Sequence, residues 1–266
     1  MDFFDGKKIR DEIISDLKTK VAKMDRKPGL AVFLVGNDVV CERYVALKKR
    51  IAESIGIFVR VYKYDENCEQ KEIINKITEL NSDNTIDGIM VQIPIPKNFD
   101  KFEIINAISP DKDVDGLRFC GGFHSHFTPP VVLAILKAVE LANKNIEECE
   151  VLVIGRGFLV GWPVAQCMEE AVKGLVIADR NTKNLSSITK TADVIISATG
   201  EAGLIKPDMV KDGAILIDAG TAEVGGELLG DIDTECYGKA CYYTPVPGGI
   251  GPVTVAMLLK NLVLTK

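Results

Sequence analysis

The chain has few of the residue types that mark metal centres and disulfide-rich domains. Its 266 residues include two histidines, one tryptophan and 6% aromatic side chains, and its seven cysteines form no CxxC pair. His124 and His126 have no cysteine or acidic partner at ligand spacing, so we expect a loop pair without a metal. The scattered cysteines favour reduced thiols in a cytoplasmic protein.

Long apolar runs and runs of like charge are also missing. No stretch approaches the ~20 apolar residues of a membrane-spanning helix. The first 25 residues are charged and amphipathic, so no secretory signal is predicted. The net charge of −6 argues against the basic face that nucleic-acid binding requires. We therefore expect a globular protein that binds neither membranes nor nucleic acids.

Short apolar strands alternate with amphipathic helices along the chain, and such alternation predicts parallel sheets covered by helices. In the first part the pattern predicts β-α-β-α-β, with a half-buried or edge strand at 57–64. The predicted strands are 29–36, 57–64, 86–96, 150–155, 174–179, 192–200 and 213–220. A final helix is predicted from the segment "PVTVAMLLKNLVL".

A glycine-rich turn follows the strand at 150–155. Gly155, Gly157 and Gly161 lie between that strand and a helix whose first turn holds Pro163. In such turns the backbone approaches a pyrophosphate, and helix N-terminal amides bind it. The spacing alone is weak, because any turn from strand to helix can hold two glycines, but this context favours a nucleotide site.

The residues near this turn point to two different dinucleotides. Asp179 ends the next strand, where a dinucleotide-binding unit places its ribose-reading residue. An acidic residue there favours the free 2′-hydroxyl of NAD. Arg156 and Arg180 instead suit the 2′-phosphate of NADP. The residue types alone leave this choice open.

A second candidate site involves Tyr44 and Lys48, which are four residues apart and share one face of a predicted helix. Taken alone, such a pair is more often a solvated face with an extended lysine. Gln92, at the carboxyl end of a strand, lies where open α/β sheets bind ligands, and Asp115 lies in a polar turn. Short-chain dehydrogenases share the Y-x-x-x-K spacing, but their glycine loop precedes the pair, and here the order is reversed.

Seven segments together resemble the bifunctional methylenetetrahydrofolate dehydrogenase/cyclohydrolase family over nearly the whole chain. They are "YVALKKR…ESIGI", "DGIMVQIPIP", "DKDVDG", "VIGRGFLVGWP", "RNTKNL", "GDID" and "TPVPGGIGPVTVAMLLKN". The fold expected is α/β with two domains. These are an N-terminal parallel-sheet catalytic domain over 1–122, completed by 246–266, and a Rossmann-like NAD(P)-binding domain over 123–245. The C-terminal helix is expected to return to the first domain.

The resemblance implies an enzyme that oxidises 5,10-methylenetetrahydrofolate and hydrolyses the methenyl product to 10-formyltetrahydrofolate. On this interpretation Lys48 is the catalytic amine, Gln92 orients it, Tyr44 stacks on the folate and Asp115 holds the pterin. Further substrate contacts are implied at Pro247, Gly248 and Gly249. The implied cofactor residues are Gly155, Arg156, Gly157, Gly161, Asp179, Arg180, Thr128 and Thr221.

The sequence departs from the family pattern mainly around the cofactor. Gly157 stands where the family often has serine, and Asp179 where it often has histidine. Cys41 replaces a usual serine in the first domain, and the segment after Asp115 is short. The family mostly uses NADP, and two arginines can reach a phosphate, so NADP is expected over NAD. A homodimer through the cofactor domain is also expected.

Three alternatives stay open on the sequence. A dehydrogenase of another substrate would need a different hydride-transfer constellation, and no catalytic histidine or Ser-Tyr-Lys order supports one. An NAD-dependent or monofunctional member of the same family would retain most of the residues above. A dinucleotide-binding sensor would explain the glycine turn but leave Lys48, Gln92 and Asp115 without a role.

Overall fold

The chain forms two compact units in a computed structural model that describes residues 2–264. The first unit comprises Asp11–Pro130 and residues 255–264. The second comprises residues 2–10 and Val131–Thr254. Each unit is thus completed by a segment from the opposite end of the chain.

The units differ from the expected domain bounds in three places. The final segment joins the first unit at 255 and not at the expected 246. Residues 2–10 group with the second unit because Asp2–Phe3 pairs in parallel with Tyr242–Tyr243 and extends its sheet. The division in mid-chain falls at Pro130, a few residues later than the expected 122. The expected bounds also include Met1, Thr265 and Lys266, which lie outside the described residues.

The first unit is built on a three-stranded parallel sheet with the order β3-β2-β4. The central strand is buried along its whole length, and β3 lies at one edge, as its alternating pattern predicts. The strands are β2 (Gly29–Val35), β3 (Phe58–Tyr64) and β4 (Gly88–Val91); the helices are α1 (Gly6–Ala22), α2 (Val39–Ser54), α3 (Gln70–Asn81), α4 (Lys101–Asn106) and α5 (Leu117–Cys120).

The final helix, α9 (Ile250–Leu264), supplies part of the core of the first unit. Leu258, Leu259 and Leu262 are at most 1% exposed and pack with Leu17 and Leu30. Burying each such side chain contributes ~1.5–3 kcal/mol. The end of the chain is therefore a structural part of the first unit, as expected for this helix.

The second unit holds a six-stranded sheet in which every neighbouring pair is parallel, with the order β1-β11-β8-β7-β5-β6. A two-stranded antiparallel hairpin lies outside it. Its strands are β1 (Asp2–Phe3), β5 (Glu150–Ile154), β6 (Gly174–Ala178), β7 (Val194–Ser197), β8 (Ile215–Asp218), β9 (Ala222–Val224), β10 (Glu227–Leu229) and β11 (Tyr242–Tyr243); its helices are α6 (Pro130–Leu141), α7 (Gly161–Met168) and α8 (Leu185–Thr189).

The two-domain α/β prediction is confirmed, but the strand predicted at 86–96 is too long. Strand β4 ends at Val91, which pairs with Phe33 of β2. Beyond it Pro94 and Pro96 have no amide hydrogen to donate to a ladder, and the Ile93–Pro94 peptide is cis. Within the described part of the chain, no helix is long and apolar enough to cross a membrane.

Candidate active site

Helix α2 begins directly beyond the carboxyl end of the central strand of the first unit. Asp38 caps it, since its carboxylate accepts a hydrogen bond from the Cys41 amide at 2.7 Å. Tyr44 lies in the second turn and is 50% exposed, and Lys48 lies one turn later and is half-buried. An exposed ring and a partly sheltered amine thus follow one another along the same face of the helix.

The Lys48 amine donates a hydrogen bond to Gln92 Oε1 at 3.0 Å. Gln92 follows strand β4, and its backbone amide donates to the Phe33 carbonyl at 2.9 Å. Its side-chain Nε2 donates to the Ile93 carbonyl at 2.8 Å. Because Nε2 is committed to a carbonyl, Oε1 faces the lysine. The structure brings together the two residues that the sequence placed on separate elements.

Asp115 belongs to the same electrostatic environment. Burial raises the pKa of its carboxyl above the usual range, and the charge of Lys48 opposes that rise. The flanking carbonyl of Val114 accepts a hydrogen bond from the buried Asn261 amide of α9 at 2.9 Å, and the Thr128 carbonyl accepts another at 3.0 Å. Asn261 therefore fixes the turn that carries Asp115. No local sequence signal marks it, because its partners are more than 130 residues away.

The segment after Asp115 is organised by a buried aspartate that the sequence did not single out. Asp113 is fully buried and accepts hydrogen bonds from the amides of Leu117 and Arg118 at 3.0 and 2.9 Å, and from Ser125 Oγ at 3.0 Å. Burial, with these bonds opposing it, raises the pKa of Asp113 to about 7. The short segment is thus a closed, hydrogen-bonded structure.

Cys41 lies beside the Lys48–Gln92 pair. Its thiol is 3% exposed and lies 3.9 Å from the Pro94 carbonyl. Burial raises the pKa of this thiol to about 11, so it is neutral at physiological pH. The cysteine therefore acts here as a small, weakly polar group.

In the second unit the glycine turn has the tight geometry that its sequence predicts. Gly155 has a φ of +104°, and a Cβ there would lie 2.6 Å from the Ala198 carbonyl oxygen. A Cβ on Gly161 would lie 1.8 Å from the Gly155 carbonyl oxygen. Packing therefore requires glycine at both positions. A Cβ on Gly157 would meet nothing within 4 Å, so packing does not explain the third glycine.

Charged groups flank this turn. The Arg156 guanidinium lies over the Trp162 ring, 5.4 Å from its centroid, and Arg180 is exposed. Asp179 follows strand β6, and its carboxylate accepts a hydrogen bond from the Asn181 amide at 2.8 Å. The acidic group is thus partly committed to its own turn, while both guanidinium groups face solvent.

The remaining predicted contacts are divided between the units. Thr128 lies in the first unit and is half-buried. Thr221 is exposed in the second unit, in the loop after strand β8. Pro247, Gly248 and Gly249 also lie in the second unit, where the Gly249 amide donates to a backbone carbonyl at 2.7 Å.

The two histidines lie together in the loop after α5. Their rings are 4.8 Å apart and nearly perpendicular, and His126 Nδ1 lies 2.7 Å from Asp111 Oδ1. Over residues 2–264, no group of three or more His, Cys, Asp or Glu side chains is placed to hold a metal ion. The expectation of a site without a metal stays a prediction.

Two family models match the chain in succession. Residues 4–115 match the catalytic domain of tetrahydrofolate dehydrogenase/cyclohydrolase, and residues 127–266 match its NAD(P)-binding domain. The chain belongs to this family. The resemblance stated from the sequence is thereby confirmed, and with it the assignment as a bifunctional dehydrogenase and cyclohydrolase.

Individual relatives agree over almost their full length. The bifunctional protein FolD of Halothermothrix orenii is 40% identical, covering 97% of this chain and 95% of its own. That of Lactobacillus helveticus is 42% identical with the same coverage. The crystal structure of the Campylobacter jejuni enzyme superposes with a TM-score of 0.94 at 36% identity, covering 99% and 97% of the two chains. The Trypanosoma brucei enzyme, solved with NADP and an inhibitor, gives 0.90 at 30% identity, covering 99% and 96%.

Proposed function

We propose that this chain oxidises 5,10-methylenetetrahydrofolate with NADP⁺, and hydrolyses the methenyl product, at a site built around Lys48. The observation that supports this most directly is the 3.0 Å hydrogen bond from the Lys48 amine to Gln92, with Asp115 in the same electrostatic environment. Positioning the substrate is the main requirement of hydride transfer, whereas hydrolysis also needs a group that moves protons.

Oxidation removes a hydride from the carbon bridging N5 and N10 and leaves a cation delocalised over the two nitrogens. NADP⁺, when bound, supplies the acceptor for that hydride. In the second reaction water adds to the cationic carbon and loses a proton. The C–N5 bond then breaks, N5 takes up a proton, and the hydroxyl on the carbon loses its proton to solvent, so that the carbon stays on N10 as a formyl group. The Lys48 amine is the group proposed to take the proton from water and return it to N5.

The neighbours of Lys48 fit recognition of a flat, polar substrate. The half-exposed Tyr44 ring offers a stacking surface on the same helical face. The Asp115 carboxylate accepts the paired N–H donors of a pterin as a bidentate acceptor. Burial raises the pKa of Asp115, so substrate affinity should weaken as the pH falls and the carboxyl becomes protonated. A KM for the tetrahydrofolate substrate that does not change as the pH is lowered would contradict this role.

The second unit fits a phosphorylated dinucleotide. Gly157 has open space where a side chain would lie, so packing does not require a glycine there. A turn whose backbone binds a pyrophosphate does require such open space. NADP is proposed over NAD because Arg156 and Arg180 expose their guanidinium groups, while the Asp179 carboxylate caps its own turn. Changing Arg180 to serine should raise the KM for NADP⁺ ~10-fold or more and leave that for NAD⁺ nearly unchanged, since a charged hydrogen bond contributes ~1.5–3 kcal/mol.

The assembly is proposed to be a cytoplasmic homodimer formed through the second unit. Strand β6 is an edge strand and exposes Val176, and the β9–β10 hairpin exposes Val224, Leu228 and Leu229. Exposed apolar edges of this kind usually pair or are covered. Light scattering should give twice the 29.0 kDa chain mass, and Val176→Lys should shift it toward the monomer. A wild-type monomer would contradict the dimer.

The main experiment compares two neighbouring lysines. Lys48→Met should lower hydrolysis of methenyltetrahydrofolate at least ~100-fold, the usual contribution of a positioned acid–base group. Lys49→Met is the matched control, because Lys49 is exposed and pairs with Glu53 at 3.7 Å. Oxidation of methylenetetrahydrofolate is followed in parallel with NADP⁺ and NAD⁺. Equal hydrolysis rates in the two variants would refute the role of Lys48, and a preference for NAD⁺ would refute that of the arginines.

A further inference from the structure

A buried polar cluster in the second unit has no role in the proposed chemistry. Four of its residues are at most 1% exposed: Ser197, Asp218, Asp231 and Thr244. Ser197 and Asp218 are the last residues of the neighbouring strands β7 and β8 and pair in register. We name this group the carboxyl cluster. Two buried aspartates at the end of a sheet are unusual, because ionised carboxyls are rarely buried without charged partners.

Each aspartate holds a loop through short hydrogen bonds. Asp231 Oδ2 accepts from Ser197 Oγ and from the Thr199 amide, both at 2.7 Å. Asp218 accepts from the Gly220 amide at 3.0 Å. The second Asp218 oxygen accepts from the amide at position 232, the residue after Asp231, at 2.8 Å. The two aspartates thus fix the backbone just after strands β7 and β8. Asp218 also holds the residue that follows Asp231.

Glycines let the carboxyls touch the backbone directly. A Cβ on Gly220 would lie 2.0 Å from Asp231 Oδ1, and a Cβ on Gly230 would lie 2.2 Å from Asp218 Oδ2. Both carboxyls therefore contact Gly220, one through its amide and one through its Cα. Asp231 Oδ1 is buried and, within residues 2–264, has no hydrogen-bond partner. An unsatisfied buried carboxylate oxygen is costly and calls for an explanation.

The loops held by the carboxyl cluster lie at the ligand-binding edge of the sheet. Residues 198–200 follow β7, and residues 219–221 follow β8. The sheet order reverses between β5 and β7, because the chain passes from β5 to β6 on one side and then to β7 on the other. Open parallel sheets bind nucleotides beyond the strand ends at such a point. Gly155 of the glycine turn packs against the carbonyl of Ala198 in the first of these loops.

We propose that Asp218 and Asp231 are positioning residues for the dinucleotide, which fix the 198–200 and 219–221 loops. This inference rests on the proposed use of NADP by the second unit. A proton on the Asp218 carboxyl relieves the repulsion of two buried carboxylates, and the unpaired Asp231 oxygen lies against Gly220 in the 219–221 loop. Loss of the proton places two negative charges beneath the loops and weakens dinucleotide binding.

The surroundings support a proton on Asp218. Burial, aided by the charge of Asp231, raises the pKa of Asp218 to about 7. Tyr237, from the 3-10 segment Thr234–Lys239, also acts on Asp218, and Tyr243 and Cys236 lie next to Tyr237. Burial raises the pKa of Tyr237 to about 12, so it stays neutral over the relevant range. The adjacent residues Ser197 and Thr244 contribute hydroxyls.

Binding of NADP⁺ to the full chain can be measured without turnover, because the one tryptophan, Trp162, lies beside the glycine turn and reports by fluorescence. Asp231→Asn and Asp218→Asn are compared with Asp233→Asn. The last is the matched control, since Asp233 pairs with Lys206 outside the cluster at 3.0 Å. Binding is titrated from pH 5.5 to 8.5. Hydrolysis of methenyltetrahydrofolate without dinucleotide is measured alongside to verify folding.

We expect Asp231→Asn to raise the Kd for NADP⁺ ~10-fold at pH 7, as for the loss of a hydrogen bond to a charged group. The wild-type Kd should rise as the pH passes 7, and this dependence should vanish in Asp218→Asn. Asp233→Asn should match the wild type. If Asp231→Asn does not fold, Ser197→Ala removes a single donor and should still weaken binding. Wild-type Kd values and pH profiles in all cluster variants would overturn the inference, whereas a wild-type chain that binds no NADP⁺ would overturn the proposed cofactor instead.

Discussion

Changing Gln92 to glutamate tests the proposed arrangement around Lys48 with the smallest possible alteration. The substitution replaces one NH₂ group by an oxygen at a residue that is 9% exposed. It removes the 2.8 Å hydrogen bond to the Ile93 carbonyl. In its place a carboxylate oxygen faces that carbonyl oxygen, and both are acceptors. It also places a carboxylate about where an amide oxygen now accepts from Lys48 at 3.0 Å.

The new carboxylate beside Lys48 decides the effect on catalysis. A hydrogen bond to a charged group contributes ~1.5–3 kcal/mol. A carboxylate partner would therefore hold Lys48 in its ammonium form and reduce the free amine ~10–100-fold, at about 1.4 kcal/mol per factor of ten. Hydrolysis of methenyltetrahydrofolate at neutral pH should fall by that factor and recover as the pH rises.

Gln92→Met provides the control for this prediction. It keeps the length of the side chain and removes the acceptor without adding charge. We expect a smaller loss of hydrolysis that does not depend on pH. If Gln92→Glu hydrolyses the substrate with the wild-type rate and pH profile, Lys48 is not the proton-transfer group, and the proposal for the first unit fails.

Further predictions concern stability and cofactor binding. Asn261→Leu leaves the buried carbonyls of Val114 and Thr128 without their donor and should lower the free energy of unfolding by ~2–5 kcal/mol, which denaturant titration would detect; a loss below ~1 kcal/mol would show that Asn261 does not fix the Asp115 turn. The pKa of Asp113 is raised from 3.8 to about 7 in the folded chain, so its contribution of up to ~4 kcal/mol is present below pH 4 and lost as the pH rises through 7. Melting temperatures of Asp113→Asn should accordingly fall less between pH 4 and 7 than those of the wild type, and parallel curves would contradict this. Gly161→Ala places a methyl 1.8 Å from a backbone oxygen and should abolish NADP⁺ binding measured by Trp162 fluorescence; retained binding would contradict the need for glycine at this position.

Much of the architecture follows from patterns that are local in sequence. The alternating pattern of 57–64 correctly predicts the edge strand Phe58–Tyr64, and the fully apolar strand Gly29–Val35 is buried as the central strand. Strands β1 and β11 were not predicted, because two residues carry no periodicity. Their place in the sheet depends on pairing between distant segments, which no local pattern reveals.

The candidate site likewise contains residues that local patterns predict and residues whose roles depend on the fold. The i, i+4 spacing places Tyr44 and Lys48 on one face, and the strand end places Gln92 near them. Asn261 and Asp113 were missed because their roles depend on which carbonyls and amides the fold buries. Asp231 lies in the segment "GDID", which the sequence marks only by its resemblance to the family. Its unpaired oxygen is visible only in three dimensions.

The exchange of terminal segments between the two units constrains the order in which the chain can fold during synthesis. The first unit appears early on the ribosome, yet its core includes Leu258, Leu259 and Leu262, which are translated after the second unit. Its nascent sheet must wait, with part of its apolar surface uncovered, while the whole second unit is made. A nascent first unit is thus expected to need protection from aggregation, and a fragment ending at Pro130 should not fold as a stable unit.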